Sequence, residues 1–312
     1  MSGALHISIS AEPITTLGSL VISNSILTSL IVSALIITFA VATRLTLSKK
    51  LSQPAPLQNI AEFIIEALYG LVQSVTNDHK KTQKFMPLIV GFFVFILVNN
   101  WFGLLPGVGT VGITESEDGH KTVSLAPETI TVPAVSQAYA VTKQTEALPT
   151  SEEEHAASTP SEVVHEEAAP AEHTEEAKHG KFVPLLRAGT ADLNTTVALA
   201  LVTMFSVQYW GVSYLHLSYF KKFFDFSNPI MFFVGILELI SDLSKVLSFA
   251  FRLFGNVFAG EVLLTVIGAL VPLVVPMVFY GLEIFVGAIQ ALVFSLLSLI
   301  FYYMATIGHE EH

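Results

Sequence analysis

The chain has 312 residues, of which 52 % are hydrophobic and only 13 % are charged, with a mean hydropathy of +0.62. That is about half the charge share of a soluble domain, and it excludes a soluble enzyme. No basic patch suggests nucleic acid, and the absence of cysteine excludes disulfides and thiolate metal sites.

Residues 1–16 are polar and lack Lys and Arg, so the apolar run that follows has no signal-peptide n-region. That run, Leu17 to Thr43, is long enough to span a bilayer. It ends at Arg44, Lys49 and Lys50, which places this end inside and the N-terminus outside. After Pro54 and Pro56, the stretch Leu57–Val75 is amphipathic, with Leu57, Ile60, Ile64, Leu68, Leu71 and Val75 at helical spacing. We read it as an interfacial helix, with a bundle helix as the alternative. Lys80, Lys81 and Lys84 again mark the inside, and Phe85–Gly107 crosses outward. Asn99, Asn100 and the interfacial anchor Trp101 sit near its outer end.

Residues 110–184 are different in kind. Fourteen acids stand against four lysines from Glu115 to Lys181, a net of −10 out of the chain's −11, with His120, His155, His165, His173 and His179 interspersed. Low hydrophobicity and high charge predict a disordered segment outside the membrane, with β-like alternation in its first half. The histidines lack metal-ligand spacing, so a solvated spacer is the preferred reading over a metal site. The chain thus divides into 1–109, the insertion 110–184, and 185–312.

Gly189–Phe220 crosses back inward and meets Lys221 and Lys222. Asn228-Pro229 then opens an apolar run to Ala269. About 40 residues make a helix of ~60 Å, against a hydrocarbon core of ~30 Å. This helix must therefore tilt steeply or break near Gly255 or Gly260. Pro272 and Pro276 mark a turn, and Met277–Ile307 is nearly as long. The expected fold is an all-α polytopic membrane protein with about five membrane-inserted helices plus one interfacial helix. The last two would form a steeply tilted hairpin, and the C-terminus would be cytoplasmic.

The first helix of that hairpin carries Glu238, Asp242, Lys245, Arg252, Asn256 and Glu261 inside an apolar run. Each ionisable residue at bilayer depth costs roughly 2.5–3.5 kcal/mol and marks a functional candidate. From Glu238 to Asn256 the steps of four and three follow a single helix face. Glu261 lies about 140° from Asn256, on a neighbouring strip. Arg252 does not deprotonate, so it is a fixed cation that needs an anionic partner. One reading pairs it with Glu238, Asp242 or Glu261. The second helix has a sparse polar face through Glu283, Gly287, Gln290, Phe294, Ser298 and Tyr302.

RLFGNVFAGE, Arg252 to Glu261, closely resembles the signature of subunit a of F-type ATP synthases. NNWFGLLPG, the ADLN of Asp192 and Asn194, and IQALVFSLLSLIFYYMA with Gln290 extend the resemblance to most of the chain except the insertion and the N-terminus. The resemblance implies a non-catalytic stator subunit beside the c-ring. Its other implied partners are the peripheral-stalk subunit b, the F1 sector indirectly and the lipid bilayer. It implies a bacterial inner membrane, and no cofactor or metal. It further implies that Glu261, Glu283, Asn256, Gln290, Asn100, Asp192 and Asn194 line an outer proton path. Arg252 would face the c-ring carboxylate and separate that path from an inner one, for which Glu238, Asp242 and Lys245 are candidates. The family's connection at 110–184 is much shorter. No GxxxxGK[ST] phosphate loop occurs, so the chain cannot make ATP alone. The rival readings are a secondary transporter, which would show inverted repeats, and a non-conducting scaffold. The choice of H+ or Na+ rests with the ring.

Overall fold

The computed structural model describes residues 11–17, 20–47, 56–109, 111–115, 121–125, 181–216, 218–221, 223, 229–271 and 274–307. Seven helices dominate them: α1 (Asn24–Leu47), α2 (Pro56–Thr76), α3 (His79–Gly103), α4 (Leu193–Leu215), α5 (Ser218–Lys221), α6 (Pro229–Leu270) and α7 (Val275–Ala305). Five of them, α1, α3, α4, α6 and α7, are long and apolar enough to cross a membrane, as the sequence leads one to expect.

The first span begins later than the apolar run does. Pro13–Leu17 (β1) and Leu20–Ser23 (β2) pair as an antiparallel hairpin. Ser23 Oγ then accepts from the Ile26 amide at 3.4 Å, satisfying one of the free N–H groups that open α1. The β-branched residues before Ser23 enter a strand, and the helix starts at the cap. The second span begins earlier than expected, at His79, because Asp78 caps it by accepting from the Lys80 amide at 2.8 Å. Lys80, Lys81 and Lys84 therefore lie on the helix itself.

Between these spans, α2 folds back on α3 through Asn77 and Asp78. Leu68 and Val72 are buried and Ile64 half-buried, whereas Ile60 and Leu71 are exposed. The packed face keeps Ile64, Leu68 and Val75 of the expected set and takes Val72 in place of Leu71.

Residues 111–115 (β3), 121–125 (β4) and 181–184 (β5) form an antiparallel sheet in the order β4-β3-β5. The insertion thus leaves and re-enters the bundle through adjacent strands. Its acidic tract and its five histidines lie outside the described residues.

The core is a seam between α3 and α7, joined by α4 and α6. Phe85, Ile89, Phe92 and Ile96 bury one face of α3. Phe294 of α7 meets Phe92 and Phe249 edge-on at centroid distances of 5.6 and 4.9 Å, the geometry aromatic rings prefer. Helix α6 runs unbroken for 42 residues, so neither Gly255 nor Gly260 is a hinge. At 1.5 Å per residue that is about 63 Å, and its apolar length stays within a ~30 Å core only if it is steeply inclined. Apolar side chains such as Ile230, Phe233, Leu243 and Phe251 are exposed along it, as lipid- or partner-facing residues are.

At the end of α4 the chain reverses at His216, in the left-handed region (φ 52). This brings Tyr219 of α5 flat against Gly211, where any side chain would overlap the ring. Gly211→Ala is expected to lower stability by about 1–3 kcal/mol through this overlap, read as a lower Tm in detergent. An unchanged Tm would mean the ring has room to move.

Candidate functional site

Two polar clusters lie along α6, with Arg252 between them. The first surrounds a cavity of about 340 Å³ lined by Asn100, Asn256, Glu261, Glu283 and Gln290, together with Arg187. Three helices supply the five residues that the resemblance assigns to an outer path. Asn100, on α3, is fixed from both sides. Its Oδ1 accepts from Thr190 Oγ1 at 2.6 Å, and its Nδ2 donates to the Gly287 carbonyl at 3.2 Å. Gly287 permits this approach, since a Cβ there would lie 3.2 Å from the Asn100 Cβ. Trp101 Nε1 donates to the Ile284 carbonyl at 3.0 Å, a second tie between α3 and α7.

On α7 the steps from Glu283 to Gly287 and Gln290 place all three on one face. Gln290 is buried and accepts from Asn256 Nδ2 at 2.5 Å. Glu283 reaches across to α6, where Gly260 makes room for it: a methyl at Gly260 would overlap the Glu283 carboxylate. Glu261 does not pair with Arg252. Its Oε2 receives both Nε and an Nη of Arg187, each at 3.1 Å. Among the described residues, Glu283 has no cation within ion-pair distance. The cavity thus holds two carboxyls in different settings, lined with amides that can both donate and accept.

The second cluster is centred on Asp242. Lys245 Nζ donates to Asp242 Oδ1 at 2.7 Å and lies 3.9 Å from Glu238. Gln208 of α4 donates to Asp242 Oδ2 at 3.0 Å and accepts from Tyr219 Oη at 2.7 Å. Glu238, Lys245, Asp242, Gln208 and Tyr219 thus form one continuous network.

Arg252 belongs to neither cluster. At 1.5 Å per residue it stands roughly 15 Å along α6 from Asp242 and roughly 14 Å from Glu261. It is exposed, and among the described residues no carboxylate lies within ion-pair distance of it. The three acids that could have paired with it are taken by Lys245 and Arg187. The single inward face expected from the spacing is therefore split. At 100° per residue Arg252 lies about 80° from Asp242, at the edge of the buried stripe of Asp242, Phe249 and Leu253, and it turns outward.

Asp192 and Asn194 are not brought to the cavity lining. Asp192 is buried, caps α4 by accepting from the Asn194 amide at 3.1 Å, and accepts from Ser25 Oγ at 2.8 Å. The Asn194 side chain is exposed. Sequence reasoning missed Arg187, Thr190, Gln208, Tyr219 and Gly260. Gln208 left a signal, a polar residue inside an apolar span. Arg187 left none, since it pairs across 74 positions of sequence.

Comparison with known proteins bears on most of the chain. The ATP synthase A chain family matches residues 26–303. The chain is also similar to ATP synthase subunit a, chloroplastic, of Stigeoclonium helveticum. The two are 30 % identical over 245 residues, covering 78 % of this chain and 70 % of that protein.

Burial, followed by Asp242 and Glu238, pushes the Tyr219 phenol up from its ordinary 10.0 to about 12. An unfolded chain ionises this group first, so its contribution is intact below pH 10 and is lost as pH rises through about 12. Tyr219→Phe should lower stability near pH 8 by about 0.5–1.5 kcal/mol, the worth of its hydrogen bond. The variant should also show a shallower fall in Tm between pH 10 and 12. Equal slopes in the two proteins would show that Tyr219 is not held neutral by the fold.

Proposed function

The chain belongs to the ATP synthase A chain family, the non-catalytic membrane subunit of the F0 sector, and from that premise we propose that it carries protons past the c-ring through two half-channels separated by Arg252. One observation carries this reading: the cavity and the inner network flank an exposed cation that no carboxylate among the described residues neutralises.

Protons enter from outside through the cavity of Asn100, Asn256, Glu261, Glu283 and Gln290 and reach a carboxyl group on the c-ring. Asp192 and Asn194 serve this path at second hand, by fixing the start of α4 beside Thr190, which holds Asn100. After the ring has turned, protons leave through Glu238, Asp242, Lys245 and the Gln208–Tyr219 extension. Arg252 attracts the deprotonated ring carboxylate and repels protons, so the two paths do not short-circuit. A cation on an apolar face costs roughly 2.5–3.5 kcal/mol, and an anion brought by the rotor offsets this. Near Arg252 this face of α6 exposes the small residues Ser241, Ser244, Ser248 and Ala259. Small residues let membrane helices approach closely. The potential contributes ~2.3 kcal/mol per charge per 100 mV, so several protons are needed per ATP, as a multi-site ring provides.

We place the chain in the bacterial inner membrane, with the N-terminus and residues 110–184 outside, the C-terminus in the cytoplasm, and subunit b and F1 completing the stator and the catalytic head. The similarity to a chloroplastic protein favours a chloroplast membrane as the second location. Fractionation of the source cells separates the two.

In inverted vesicles, Arg252→Ala should abolish ATP-driven proton pumping while the complex stays assembled. Pumping at the wild-type rate would remove Arg252 from the mechanism.

A further inference from the structure

The described residues contain one ion pair at the cavity wall, between a buried guanidinium and a part-exposed carboxylate, and its cation lies outside the spanning helices. Arg187 lies between β5 and the 3-10 turn Gly189–Ala191, and it is 7 % exposed. Contacts with three described residues help to set its position. Its amide donates to Thr28 Oγ1 of α1 at 3.3 Å, its guanidinium sits 6.0 Å from the Phe258 ring centroid, and its fork closes on Glu261 Oε2. A guanidinium is a permanent cation with donors in a rigid fork, so it fixes both the charge and the direction of a carboxylate. Glu283 shares the cavity but has no such partner among the described residues. Glycine at 260 gives it space against α6. Two carboxyls held in environments this different take different roles.

We infer that Arg187 is a positioning residue of the inlet: it clamps Glu261 as a fixed anion of the cavity wall and leaves Glu283 as the carboxyl that takes up the arriving proton and passes it toward the ring. This rests on the proposed half-channel reading and adds a division of labour to it. Each transfer moves one proton from water to the Glu283 carboxylate and onward to the ring carboxylate, with Glu261 unchanged throughout. The loop carrying Arg187 follows directly from β5, so the base of the acidic insertion and the inlet are joined by three residues of chain.

The test is a double-mutant cycle on the whole complex in inverted vesicles, scoring pumping and assembly together, with Arg252→Ala alongside. Arg187→Gln should lower pumping on the order of tenfold or more, because the carboxylate at the cavity wall loses the cation that fixes its charge and direction. Arg187→Lys should recover part of the loss. Arg187→Gln combined with Glu261→Gln should pump better than Arg187→Gln alone, because both members of the pair are then neutral. Glu283→Gln should abolish pumping in either background. If Arg187→Gln prevents assembly, the double substitution should restore it. Wild-type pumping by Arg187→Gln would overturn the inference, as would a double variant no better than the single in both pumping and assembly. Active Arg252→Ala in the same series would instead overturn the half-channel reading itself.

Discussion

Charge neutralisation at low dielectric organises the bundle. Ionisable groups at bilayer depth are costly alone and tolerable in pairs. Along α6 the pairing is nearly complete: Lys245 serves Asp242 and Glu238, and Arg187 serves Glu261. Among the described residues this leaves one cation of α6 without a carboxylate, Arg252, turned to the open side of the helix. The acids of its own helix are engaged elsewhere. In the proposed reading an anion from the rotor meets this cation.

The architecture serves that arrangement. An unbroken α6 is long enough to carry both polar clusters and the cation between them on one rigid rod. Helix α7 returns along it and supplies Glu283 and Gln290. The aromatic contacts of Phe294 with Phe92 and Phe249 hold α3, α6 and α7 in fixed register, so the cavity above them keeps its shape. Glycines act here by absence: Gly260 admits the Glu283 carboxylate, and Gly287 lets α3 and α7 close around Asn100.

Much of this was legible in the sequence, because membrane spans are written as long apolar runs and their rare polar residues stand out against them. The five spans, the overlong hairpin and the cavity-lining Asn100, Asn256, Glu261, Glu283 and Gln290 all carried such signals. Pairing did not. Helical spacing placed Arg252 on one face with Asp242, but a 4-3 repeat drifts around a 3.6-residue helix, and the drift turns Arg252 outward. The partner of Glu261 lies 74 positions away on a loop with no periodicity, so only the folded chain reveals it. The first span was misjudged at its start because Ser23 caps the helix inside an apolar run, and hydropathy does not register a cap.

The central claim is that the Arg252 face of α6 meets the rotor. The chain has no cysteine, so a single engineered thiol reports its own surroundings. Ser248 is exposed one turn from Arg252, and Ile37 is 62 % exposed on α1. Each would be changed to Cys in turn and oxidised against a cysteine beside the ring carboxyl of the c subunit, in assembled complex. A disulfide-linked heterodimer with Ser248→Cys and none with Ile37→Cys is the predicted result. No heterodimer from Ser248→Cys, or equal yield from both sites, would contradict the account.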